Sequence, residues 1–158
     1  MKADLLRQLV EDRHRERAVV LATNLDTGAQ ILLYPLEADS DAEDVGPVLH
    51  QTVLNALLND RSQPVDESDG RFFLHVHNPP HRLVVVGAVH VAQPLAQMAN
   101  HAGFSVSLVD PRETLNTEAR FPGVNRLLSW PDAALASLEP DYRTAVVTLT
   151  HDPKLDDP

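Results

Sequence analysis

The stretch RLVVVGAVH at residues 82–90 decides the fold, together with a second apolar stretch, SVSLVD, at residues 105–110. An apolar run that ends in Gly87 and passes into a helix-forming segment is typical of the opening of a nucleotide-binding βαβ unit. The second run ends at Asp110, 23 positions after Gly87. A dinucleotide-binding fold places its ribose-binding carboxylate at about this distance.

The glycine fingerprint of that unit is incomplete. A full G-x-G-x-x-G would have glycine at positions 89 and 92, where this chain has Val89 and Ala92. Alanine is tolerated at the last position, but the β-branched Val89 stands where the backbone should approach a pyrophosphate. The stretch therefore predicts the fold well and NAD binding poorly.

Composition excludes several classes of function. The 158-residue chain carries a formal net charge of −10, which argues against a nucleic-acid partner and against an anionic membrane surface. It has no cysteine, and therefore no disulfides, zinc–thiolate sites, iron–sulfur clusters or cysteine nucleophiles. No apolar run is long enough to span a bilayer, and the first residues predict an amphipathic helix and not a signal peptide. We expect a soluble cytoplasmic protein.

Residues 1–78 predict a small α+β domain. Apolar residues at helical spacing indicate a helix near residues 3–15, and two short apolar runs separated by a turn-rich connection indicate an antiparallel hairpin. A second helix starts at Pro47, a plausible first helical position, and a further strand follows at residues 71–76. Asn78-Pro79-Pro80 stiffens the backbone and marks the domain boundary.

Residues 79–158 predict a Rossmann-like α/β domain. Strands near 82–86, 105–109, 126–128 and 144–149 alternate with helices, as in a parallel sheet with right-handed crossovers. In doubly wound order the fourth strand lies beside the first, opposite the second. The segments 87–90 and 150–154 would then face one crevice, at the point where ligands usually bind.

The fourth strand is left as an open sheet edge. We expect either a domain that is truncated at its C-terminus or an edge that a partner covers. A homodimer is one such arrangement.

Four motifs in order resemble the xanthine dehydrogenase accessory family XdhC/CoxI, the molybdenum-cofactor chaperones. They are VGAVHVA at 86–92, VDPR at 109–112, EARFP at 118–122 and LTHDPKLDD at 149–157. The resemblance implies a non-enzymatic protein that binds molybdenum cofactor (molybdopterin) as cargo and supports its sulfuration by a cysteine desulfurase. It further implies delivery of the cofactor to a molybdenum hydroxylase of the xanthine dehydrogenase type.

The N-terminal part departs from the family pattern. Many members carry a Gly-Ser-Thr-Pro-Arg segment and a Gly-Gly-Cys segment, and that cysteine has been tied to cofactor binding. Here ATNLDTG at 22–28 replaces the first and VGPV at 45–48 replaces the second. The chain therefore resembles a cysteine-less subgroup.

The predicted cofactor-binding residues surround the crevice. Gly87 and His90 would cradle an anionic group at a helix N-terminus, although a tight turn alone also requires Gly87. Arg112 and Arg120 offer planar guanidinium groups for a phosphate or pterin, unless Arg120 only anchors its loop. Asp110 either accepts from a ribose hydroxyl or pairs with Arg112. The far wall is assigned to His151 and Asp152, in a structural or ligand-positioning role.

The chain offers no convincing metal site and no catalytic residue. His75 and His77 are two apart on a strand, hence on one face, and His81 follows. The pattern places no third ligand with them, and a Pro-Pro break intervenes.

Two rival functions stay open. One is an NAD(P)-dependent oxidoreductase, which Val89 obstructs and for which no Tyr–Lys pair or catalytic triad emerges. The other is a nucleotide-sensing or protein-docking module whose acidic N-terminal part binds a basic partner.

Overall fold

The computed structural model describes residues 3–37, 47–68 and 70–150. Two units divide the chain, Met1–Pro79 and Pro80–Pro158. Within the described residues, no helix combines the length and the hydrophobicity that a membrane crossing requires.

Unit 1 is built on an antiparallel sheet with helices on both faces. Its elements are α1 (Ala3–His14), β1 (Val19–Asn24), β2 (Gln30–Leu33), α2 (Pro47–Leu58), β3 (Gln63–Glu67) and β4 (Gly70–His77), with strand order β2-β1-β4-β3. Successive residues of β1 point to opposite faces, and both are buried: Val19 packs in the cluster of Leu9 from α1, and Val20 packs in the cluster of Val53 from α2. The predicted helices and hairpin are confirmed.

The first helix of unit 1 buries one charge. Asp12 is 0% exposed and accepts hydrogen bonds from Tyr34, Arg17 and Gln8 at 2.8, 3.2 and 3.1 Å. These partners compensate for the loss of water around the carboxylate. The contact fixes α1 to the end of the β1–β2 hairpin.

Unit 2 is a four-stranded parallel sheet. Its elements are β5 (Arg82–Val86), α3 (Ala92–His101), β6 (Ser105–Val109), β7 (Asn125–Leu127), α4 (Pro131–Leu138) and β8 (Thr144–Thr148). The strand order is β7-β6-β5-β8, so the fourth strand of the domain lies beside the first, as predicted. The α/β fold class is confirmed.

The two helices of unit 2 cover opposite faces of this sheet. On one face, alanines of α3 pack against Val85, Leu108 and Phe121. On the other, Ala134 of α4 packs against Val84 and Val86. The central strand β5 is a nearly continuous apolar run because both of its faces are covered.

Candidate functional site

The carboxyl ends of β5, β6 and β8 meet at one edge of the parallel sheet. Val86, the last residue of β5, is in register with Val109 of β6 on one side and with Thr148 of β8 on the other. The strand order reverses at β5, so its following loop lies at the topological switch point. The site is therefore built from the segments that follow these strands.

Gly87 turns the chain out of β5 and lies against the segment that follows β8. Its φ is +106°, and its N–H donates to the carbonyl of Val109 at 2.8 Å. A Cβ atom built on Gly87 would lie 2.5 Å from Cγ2 of Thr150, closer than real Cβ contacts come. The glycine is thus required by the neighbouring Thr150, whatever binds at this edge.

After this turn, the backbone N–H groups of residues 89–91 lie between donors that have partners. The N–H of Ala88 donates to Asp110, and those of Ala92 and Gln93 donate back to the carbonyls of Val89 and His90. In between, the N–H groups of residues 89–91 have no hydrogen-bond partner among the described residues. His90 and the following residue are exposed, so these donors lie in a surface loop at the start of α3.

This arrangement suits an anion. The N-cap residue of α3 makes no side-chain capping bond, so the positive end of the helix dipole is not neutralised by a cap. Adjacent N–H groups at a helix N-terminus are the usual backbone anion site in proteins. The side chain of His90 is exposed beside them.

Asp110 connects this loop to Arg112. It is 1% exposed, and its two carboxylate oxygens accept four hydrogen bonds. One oxygen accepts from the N–H of Ala88 and from Nη2 of Arg112, both at 2.7 Å. The other accepts from the N–H and from Nε of Arg112, both at 2.9 Å. Of the two roles expected for Asp110, the structure has the pairing with Arg112.

The pKa of Asp110 reflects these contacts. Burial raises it, but the hydrogen bonds from Arg112 and Ala88, with the charge of Arg112, outweigh burial and hold the pKa below its ordinary value. The carboxylate is therefore ionised at neutral pH. Because both oxygens are already engaged, a ribose hydroxyl would have to displace an existing bond.

Arg112 is held by the buried carboxylate of Asp110. Asp110 binds Nε and Nη2, while the side chain is 42% exposed. A guanidinium that is fixed by a buried carboxylate and still reaches solvent is a preorganised donor for a phosphate. The anchor on Asp110 also bonds Ala88, so Arg112 is tied to the loop that carries the open N–H groups.

Arg120 is directed into its own loop. Its Nη1 donates to the carbonyl of Leu115 at 2.5 Å, and its guanidinium carbon lies 5.4 Å from the ring centre of Phe121. Phe121 is 1% exposed and packs in the core under α3. The structure thus has Arg120 in the anchoring role that the sequence left open.

Sequence reasoning missed Asn116, a buried residue behind the site. It is 2% exposed, and Nδ2 donates to the carbonyls of Asp110 and Leu127 at 3.1 and 3.0 Å. It thereby clamps the segment after β6 onto the end of β7. An asparagine in a loop carries no sequence signal of such a role.

Two predicted site residues, His151 and Asp152, lie outside the described residues. Among residues 3–37, 47–68 and 70–150, no group of three metal-ligating side chains could hold a metal ion.

The comparisons with known proteins agree with this fold. Residues 83–158 match the family described as the XdhC Rossmann domain. The chain is also similar to the crystal structure of a xanthine dehydrogenase from Bacillus halodurans, with 20% sequence identity and a TM-score of 0.66. The match covers 96% of this chain and 46% of that protein, so the chain spans about half of its length. At this identity the likeness shows the fold alone. No curated protein matches the chain.

Proposed function

We propose that the chain, whose residues 83–158 match the XdhC Rossmann domain family, is an accessory protein in the maturation of a xanthine dehydrogenase-type enzyme. In this proposal it binds molybdenum cofactor as cargo and catalyses no reaction of its own. It acts in the cytoplasm with a cysteine desulfurase, which sulfurates the cofactor, and with the molybdenum hydroxylase that receives it.

We assign the anionic end of the cargo to the loop between β5 and α3. The observation that carries this assignment is the run of N–H groups at residues 89–91 that have no partner in the described part of the chain. Ala88 and Asp110 connect this run to the exposed Arg112. The phosphate of the cofactor matches this donor set, since it takes several N–H bonds and a guanidinium together. His90 adds a side chain beside the same donors.

In this assignment the other predicted residues do not bind the anionic end of the cargo, and each has a different role. Asp110 positions Arg112 and the loop, and does not itself contact the cargo, because its oxygens are saturated. Gly87 lets the loop turn against Thr150. Arg120 anchors the segment after β6. His151 and Asp152 are proposed to contribute the opposite wall.

The NAD(P)-dependent alternative is less well supported. A dinucleotide needs a carboxylate free to accept from the ribose, and the buried Asp110 is saturated by four bonds. It also needs a glycine where this chain has Val89.

The proposal is tested by titrating the purified chain with molybdenum cofactor, NAD and NADP in parallel. We expect micromolar or tighter binding of the cofactor and weak binding of both dinucleotides. Arg112→Ala removes a charge-assisted bond worth about 1.5–3 kcal/mol and should weaken cofactor binding roughly 10- to 150-fold.

The matched control is Arg7→Ala, which removes the same charge from an exposed ion pair on α1. It should leave cofactor affinity within about twofold of wild type. No cofactor binding by wild type would overturn the function. Equal binding by wild type and Arg112→Ala would overturn the site alone.

A further inference from the structure

Three exposed apolar side chains lie at the carboxyl edge of the parallel sheet, beside the proposed anion site of residues 89–91 and Arg112. Val91 precedes α3, and Leu128 and Trp130 follow β7; each is more than half exposed. Exposed apolar residues that stand alone need no explanation, but a group of them beside polar donors marks a place where a ligand binds. The proposed function uses the polar groups of this edge and leaves its apolar groups without a role.

The segment that carries Trp130 is fixed beside the segment that carries Arg112. The carbonyl of Leu127 accepts from the N–H of Asp110 at 3.1 Å and from Nδ2 of Asn116 at 3.0 Å. Arg112 follows Asp110 by two residues, so their Cα atoms are at most about 7 Å apart. Trp130 follows Leu127 by three residues, so their Cα atoms are at most about 11 Å apart. Trp130 and Arg112 therefore flank the same stretch of the sheet edge.

Trp130 presents an aromatic ring to solvent from a fixed backbone. It is the residue before α4, and its carbonyl accepts from the N–H of Ala134 at 2.9 Å. Within the described part of the chain, its side chain makes no hydrogen bond and no contact with another aromatic ring. A tryptophan that is held by its backbone and half exposed offers a flat face on which a planar ring can stack.

We propose that Trp130 stacks on the fused-ring end of the ligand whose phosphate lies at residues 89–91 and Arg112. This inference rests on the proposed function and assigns the other end of the same ligand. A phosphate is recognised by N–H groups and a guanidinium, whereas a heterocycle such as a pterin is recognised by an aromatic face. Leu128 adds apolar surface to the segment that carries the ring. The site thus takes a ligand that joins a phosphate to a planar heterocycle.

The first test is the affinity of the full chain for molybdenum cofactor and for inorganic phosphate. Trp130→Ala should weaken cofactor binding roughly 5- to 150-fold, because the stacking face is lost. Trp130→Phe keeps an aromatic face and should bind more tightly than Trp130→Ala. The matched control, Tyr142→Ala, removes an exposed aromatic ring before β8, at the opposite edge of the sheet, and should stay within about twofold of wild type. All four proteins should bind inorganic phosphate equally, because phosphate contacts the anion site alone.

These affinities separate the inference from the proposed function. Cofactor binding that Trp130→Ala leaves at wild-type strength overturns the stacking role and leaves the proposed function standing. An absence of cofactor binding by wild type overturns the proposed function, and the stacking role with it. Loss of phosphate binding in Trp130→Ala shows that the ring supports the anion site and does not stack, which also overturns the inference.

Tryptophan fluorescence tests the same contact without a substitution. Trp130 is the only tryptophan of the chain, so quenching by acrylamide reports on the exposure of this one ring. Saturating molybdenum cofactor should lower the quenching constant, because the stacked heterocycle covers the ring. Saturating inorganic phosphate should leave the constant unchanged. A constant that bound cofactor does not change, or that phosphate lowers equally, overturns the inference.

Discussion

Asp110→Asn should destabilise unit 2 by about 3 kcal/mol. The substitution keeps the size of the side chain, but an amide nitrogen replaces one oxygen that accepts two hydrogen bonds. Either orientation of the amide leaves two donors facing an NH₂ group, and each buried donor left unpaired costs about 1–3 kcal/mol. Breaking a buried ion pair from one side costs a similar amount, about 3–5 kcal/mol.

Urea unfolding followed by tryptophan fluorescence measures this loss. Trp130 is the only tryptophan of the chain and precedes α4, so its emission reports on unit 2. The control is Glu113→Gln, which makes the same change of charge on an exposed side chain of the same loop. It should stay within about 0.5 kcal/mol of wild type. If Asp110→Asn is as stable as Glu113→Gln, the carboxylate is not the anchor described here.

Three further changes test the packing and electrostatics of the two units. The pKa of Asp110 is lowered in the folded state, so its stabilisation is present above the unfolded value of about 3.9 and is lost as pH falls through the folded value. The difference in free energy of unfolding between wild type and Asp110→Asn should therefore shrink between pH 7 and pH 3, and a constant difference would contradict this. Gly87→Ala adds a clash with Thr150 to the backbone strain and should cost about 2–5 kcal/mol, whereas Gly123→Ala, with open space around its Cβ, should cost only about 1–2 kcal/mol; equal unfolding midpoints would remove the role given to Thr150. Tyr34→Phe removes a hydrogen bond to the buried aspartate of α1 and should destabilise unit 1 by about 1–2 kcal/mol in circular dichroism melts, while an unchanged melt would show that the bond contributes nothing.

Most of the fold could be predicted because its signals are local. β5 and β6 are apolar runs whose bounds the structure reproduces, and α2 begins at Pro47, as predicted. The helix-forming segment predicted after Gly87 is a helix from Ala92, and the residues between them form the turn. Sequence analysis predicts no strand at Gln63–Glu67, because proline and acidic residues are uncommon in strands. This segment is a strand because it pairs antiparallel with β4.

The site was less predictable because its contacts join distant parts of the chain. The spacing of Gly87 and Asp110 indicated that they approach one another, but not that Asp110 would bond the neighbouring N–H and thereby be closed to a ribose. The open N–H groups at residues 89–91 arise from where the neighbouring donors find partners. No residue type predicts that pattern, and none predicts the hydrogen bonds by which Asn116 joins the segment after β6 to β7.

Hydrogen–deuterium exchange of the full chain, with and without saturating molybdenum cofactor, tests the central claim most directly. The account predicts that the cofactor slows exchange at residues 89–91, whose N–H groups would become bonded, and in the segment around Arg112. The protection should be weaker in Arg112→Ala at a cofactor concentration close to the wild-type Kd. Protection confined to unit 1, or no change at residues 89–91 while the cofactor is bound, would contradict the account.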